Sequence, residues 1–71
     1  MKFPRDISGR ELVIAFRRLG FSVQRQTGSH VQLARLEHHT TIPMHNPIRI
    51  GTLKSILKQA GLTLDDLADT L

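Results

Sequence analysis

The spacing of apolar residues along the chain changes period twice. Leu12, Val13, Phe16 and Leu19 recur at helical spacing. Ser8 and Glu11 form an S-x-x-E capping box ahead of them, Asp6 adds negative charge near the helix start, and Gly20 supplies a stop. From Phe21 the period falls to two. Phe21 and Val23 alternate with Ser22 and Gln24; beyond the punctuation at Gly28, Val31 and Leu33 alternate with His30, Gln32 and Ala34. A third run, Thr40 to Met44, sets Ile42 and Met44 against Thr41 and Pro43, the proline fitting an edge strand or a strand end. His45-Asn46-Pro47 breaks this pattern. Helical spacing returns near Gly51-Thr52 with Leu53, Ile56, Leu57 and Ala60, and Gly61 ends it. Thr63 opens a last short helix with Asp65 and Asp66 in its first turn and Leu64, Leu67 and Leu71 available to pack. The expected fold is α+β: an α-β-β-β-α order, a three-stranded antiparallel sheet with helices packed on one face, and a short extra C-terminal helix.

Register follows from requiring the large apolar residues to share a sheet face, since a slip by one residue would expose a whole strand's apolar set. A three-residue loop, Gln26-Thr27-Gly28, places Arg25 opposite Ser29, Gln24 opposite His30, Val23 opposite Val31 and Phe21 opposite Leu33. A two-residue turn at Glu37-His38 places Leu33 opposite Ile42, Val31 opposite Met44 and His30 opposite His45. Both registers put Gln24, His30 and His45 in a row on the solvent face, away from Phe21, Val23, Val31, Leu33, Ile42 and Met44.

Seventy-one residues form a single domain, 1–71, with one small core and no cysteine to reinforce it by disulfides or thiolate metal sites. No run is long enough to span a bilayer and no signal-like segment follows the basic start, so a soluble cytoplasmic protein is the expectation. Charge sharpens the picture. The overall balance is +4, but three of the six acidic residues crowd the last seven positions; residues 1–60 hold ten basic residues against three acidic ones, a balance of +7. That favours a polyanionic partner, nucleic acid above all. There are three Phe and no Tyr or Trp, and the rings are needed for packing, so contacts would go to phosphates and sugars rather than to stacked bases.

An exposed imidazole can move protons near neutral pH, taking one from a ribose 2′-hydroxyl or giving one to the leaving oxygen without a metal. His30 is the candidate catalytic residue. Arg25, Arg49, Lys54 and Lys58 are candidate phosphate ligands, Gly28 and Ser29 shape the loop beside His30, and Gln24 and His45 are possible auxiliaries. The plain alternative is that His30 is a polar surface residue and that Lys54 and Lys58 form a solvated helix face. The doublet His38-His39 points to opposite faces of an extended strand, poor metal geometry. There is no P-loop or nucleophile elbow, and no separated carboxylate pair with a case behind it.

Ser8-Gly9-x-Glu11, Gly20-Phe21, Gly28-Ser29-His30, Pro43-x-His45 and Gly51-Thr52-Leu53 followed by Ile56-Leu57-Lys58-Gln59-Ala60-Gly61 stand in an order and spacing that resembles the HicA toxins of bacterial toxin–antitoxin pairs, over nearly the whole chain. The resemblance implies a fold like the double-stranded RNA-binding domain, ribosome-independent cleavage of mRNA that depends on His30, no cofactor, and neutralisation by a HicB-type antitoxin. The stretch Asn46 to Ile50 and the His38-His39 doublet fit the pattern less well. Two readings compete with a nuclease: a module that grips duplex RNA without cutting it, and an inactive subunit acting only through its protein partner.

Overall fold

The computed structural model describes residues 6–71. Helix α1 (Gly9–Arg18) starts where the sequence places it. Ser8 Oγ accepts the Glu11 amide at 3.1 Å, and the Glu11 carboxylate accepts the Ser8 amide at 3.2 Å, completing the box. The helix buries Leu12, Ala15 and Phe16. It closes by a Schellman pattern: the Phe21 amide donates to Phe16 O at 3.0 Å and the Gly20 amide to Arg17 O at 3.1 Å. Helix α2 (Ile50–Ala60) ends in the same way, with Leu62 N donating to Leu57 O, and buries the expected Leu53, Ile56, Leu57 and Ala60. Helix α3 (Leu64–Ala68) carries a second capping box between Thr63 and Asp66. It buries Leu67 and half-buries Leu64, but Leu71 lies largely in solvent rather than packing.

Strands β1 (Ser22–Thr27), β2 (His30–Arg35) and β3 (His38–Pro43) form one antiparallel sheet in the order β1-β2-β3. Both helices contribute to the core on one face of this sheet, where Phe21, Val31, Leu33 and Ile42 meet Leu12, Phe16, Leu53 and Leu57. The fold class and the one-sided packing agree with the sequence reading. Among the described residues no helix is long and apolar enough to cross a membrane.

Both registers differ from the expected ones. The first hairpin closes through two residues, Gly28-Ser29, so Thr27 pairs with His30 and Gln26 with Val31. Gly28 sits at φ +57 in the first turn position, as a type II′ turn requires, and a Cβ there would meet nothing within 4 Å. The glycine therefore serves backbone conformation, as expected, but in a tighter turn. A β-bulge between Val23 and Arg25 absorbs the difference, so Val23 pairs with Leu33 and Arg25 with Gln32. The second hairpin turns at Leu36-Glu37, not Glu37-His38, with Leu36 at φ +55. Val31 therefore pairs with Ile42, and His30 with Pro43 instead of His45. Val23 and Met44, expected in the core, are 45% and 36% exposed because they lie at the sheet margin.

The core also takes in Ile7 and Ile48, which lie outside the periodic segments and are joined by an Ile48 N–H to Ile7 O bond of 2.8 Å. Two polar groups tie the layers together. Buried Thr40 donates its hydroxyl to Gln59 Oε1 at 3.1 Å, linking β3 to α2. Arg35 lays its guanidinium 5.0 Å from the Phe21 ring centroid and donates Nη1 to Leu19 O at 2.7 Å, holding the end of α1 against the sheet.

Candidate active site

His30 opens β2 on the face opposite the helices and is exposed. Its two cross-strand neighbours are Thr27 and Pro43. The next pairs along the same face are Arg25 with Gln32, and Gln32 with Thr41. The bulge makes this arrangement. Without it, Arg25 would point to the helix side; with it, Arg25 shares the open face and is a diagonal neighbour of His30, a position that long side chains can bridge. The expected opposition of Gln24 and His30 is not formed. Gln24 lies at the bulge, and with Gln32, His39 and Thr41 it lines a depression of about 510 Å³ across the open face.

His45 lies two residues beyond Pro43, outside the paired strand, and is exposed. The connection from Met44 to Arg49 is irregular but firmly held: Met44 N donates to Ser29 O at 2.6 Å, Gly9 N to His45 O at 2.8 Å, and Ile48 N to Ile7 O at 2.8 Å. A cleft of about 490 Å³ opens over this connection, with Pro43, His45, Asn46, Pro47, Arg49 and Thr52 around it. The glycine at position 9 permits the arrangement. A Cβ there would collide with the Pro43 carbonyl oxygen and stand 2.8 Å from Met44 Cα, so only hydrogen lets α1 approach.

Arg49 stands at the N-cap of α2, whose first turn has neither a side-chain cap nor an acidic residue. Ser29 lends its carbonyl to Met44 and flanks His30 in the turn. Lys54 and Lys58 are exposed on the side of α2 away from its buried stripe, hence on the far side of the molecule from the open sheet face. The candidate residues thus fall into two groups. Arg25, Gly28, Ser29 and His30, with His45 and Arg49 in the adjoining cleft, form one continuous region; the two lysines form another. His38 and His39 do point to opposite faces, the His38 ring lying against Gly61 and His39 on the open face. None of Gln32, Thr41, Asn46 and Thr52 is named as a site residue from the sequence, and His39 is weighed there only as a metal ligand. For Gln32, the alternation that placed His30 outward carried the same signal.

In chemical terms the region offers two exposed imidazoles, His30 on the sheet face and His45 at the cleft, with Arg25 close to the first and Arg49 beside the second. Glu37, in the second hairpin turn, lines the far end of the open-face depression, and none of the residues paired with or next to His30 on the strands is a carboxylate. This suits an anionic chain laid across the sheet. No curated protein matches the chain significantly. The family described as "HicA toxin of bacterial toxin-antitoxin" matches residues 9–62. That span runs from the first residue of α1 to just past α2 and includes every strand, so the chain belongs to the HicA toxin family.

Proposed function

We propose that this toxin is a metal-independent endoribonuclease that cleaves mRNA without the ribosome, with His30 as the acid–base group. The observation that carries this reading is the position of the imidazole: it stands on the open face of a sheet whose other face is closed by helices, with Arg25 diagonally beside it. Proton transfer by His30 at the 2′-hydroxyl or the leaving oxygen would drive backbone cleavage, and Arg25 would hold the phosphate and stabilise its developing charge. Arg49 and the uncapped amides that begin α2 add positive potential on the same side. A HicB-type antitoxin would neutralise the toxin by covering this face, and the cytoplasm, where mRNA is met, is the site of action.

The separate Lys54 and Lys58 surface favours a second reading, a module that binds duplex RNA by shape through α2 without cutting it. Incubating purified protein with end-labelled RNA in chelator separates the two. Fragments support the nuclease, and persistent cutting under those conditions speaks against a metal requirement. RNA that is bound but intact would overturn the nuclease reading in favour of the module.

A further inference from the structure

We propose that the cleft between the end of β3 and the start of α2 is a nucleotide subsite that selects one base beside the scissile phosphate, with Asn46 reading the base and Arg49 and Thr52 holding its phosphate. This deepens the ribonuclease reading and rests on it for the identity of the strand bound. The cleft's volume of about 490 Å³ falls within the range of small-molecule sites, about 300–1,000 Å³.

Its lining is divided by chemistry. Pro43, Pro47 and Ile48 supply an apolar wall against which a base can lie, in a protein with no Tyr or Trp to stack on. Asn46 presents a donor and an acceptor side by side, the pattern that recognises a base edge in two hydrogen bonds. Arg49 supplies a fixed positive charge and Thr52 a hydroxyl, and no carboxylate lines the cleft. Among the described residues, the side chains of His45, Asn46, Arg49 and Thr52 make no hydrogen bond or ion pair within the protein.

The backbone beneath those unused groups is the opposite of loose. Three amide–carbonyl bonds, to the first hairpin turn, to the start of α1 and to the segment before it, hold residues 44–48 in place. A connection so anchored presents its polar side chains in a preformed arrangement, which lowers the ordering cost of binding. The position fits the chemistry. Pro43, on the rim, is the cross-strand partner of His30, so a strand whose phosphate reaches the imidazole can place its neighbouring nucleotide in the cleft.

The test uses the full chain carrying His30→Ala, so that RNA cleavage cannot interfere. The four ribonucleoside 5′-monophosphates and inorganic phosphate are titrated separately while backbone amides are followed by NMR. Shifts confined to residues 43–53, with one base preferred over the poorest by about tenfold, are expected. Arg49→Gln should weaken all four nucleotides by about tenfold, the scale of one charge-assisted hydrogen bond. The near-isosteric Asn46→Asp should change the order of base preference. On a long RNA, the same Asn46→Asp change in the otherwise wild-type chain should redistribute cleavage among sites.

No shift in the cleft with any nucleotide, or phosphate alone matching the nucleotides, overturns the base-reading subsite. Nucleotide binding with an unaltered cleavage pattern in Asn46→Asp would assign the cleft to a free nucleotide and overturn its role on the substrate strand. If wild-type protein cuts no RNA, the ribonuclease reading fails by itself, and the titrations still report on the cleft.

Discussion

Gly9 and Gly51 occupy similar places, in the first turns of the two main helices, yet replacing each by alanine should move stability in opposite directions. Helix propensity alone favours alanine at either position by up to about 1 kcal/mol. At Gly51 the new methyl group would meet nothing within 4 Å, so Gly51→Ala should stabilise by about 0.5–1 kcal/mol. At Gly9 it would run into the Pro43 carbonyl oxygen and lie 2.8 Å from Met44 Cα. Both are backbone atoms in a segment held by hydrogen bonds, so no side chain can swing aside. Overpacking of this kind costs about 1–3 kcal/mol, and stretching the 2.8 Å bond from the Gly9 amide to His45 O removes roughly 1 kcal/mol more. After the propensity gain, Gly9→Ala should destabilise by about 1–3 kcal/mol. For a domain of this size each kcal/mol moves Tm by about 4–8 °C, so the two variants should melt well apart on either side of wild type. Thermal and urea denaturation followed by circular dichroism would measure this. A Gly9→Ala protein as stable as wild type would refute the close approach of α1 to the end of β3, and with it the anchoring of the cleft.

Leu36 combines a φ of +55 with 89% exposure, so Leu36→Gly should raise stability by about 0.5–1 kcal/mol by urea denaturation, the relief of left-handed strain exceeding the added chain entropy; a loss would contradict the turn at Leu36-Glu37. The Asp66 carboxyl is held below its ordinary range, chiefly by the Thr63 amide and then the Thr63 side chain, with burial opposing and the Arg35 charge adding a little. A depressed folded-state value means that the stabilisation is present above the unfolded value of about 3.9 and is lost as pH falls through the folded one. The urea midpoint of wild type should therefore fall more between about pH 5 and pH 2 than that of Asp66→Asn, and parallel curves would contradict the cap. Arg25→Ala should slow RNA cleavage by about tenfold or more, as loss of a charged phosphate contact does, whereas Lys58→Ala should change it by less than about threefold. The reverse order in a cleavage time course would move the site to α2.

The helices were legible because their ends are written in local chemistry. Ser8 with Glu11, Thr63 with Asp66, and glycines at 20 and 61 act within a few residues of each other, and the buried stripe of α2 follows from its spacing alone. The registers were not legible, for two reasons. A positive φ at Leu36 is carried by a residue type that gives no sign of it, and the bulge at Gln24 adds one residue to β1 where residues 24–27 are all polar and no apolar side chain marks the change of face. The solvent-side placement of His30 survived both errors, since it follows from its alternation with Val31 and Leu33 on its own strand. The position of Arg25 did not, because it lies beyond the bulge, where the side-chain parity reverses. The cleft was hidden for a different reason: its residues come from a connection with no period, brought together by bonds from Ser29, Gly9 and Ile7, which are distant in the chain.

The most direct measurement pairs activity with stability in one variant, His30→Ala. Because the imidazole is exposed, its removal should leave the folded state within about 0.5 kcal/mol of wild type while cleavage of labelled RNA in chelator and growth arrest on expression both disappear. Cleavage that persists at the wild-type rate, or loss of activity that merely accompanies unfolding, would contradict a catalytic role for this side chain.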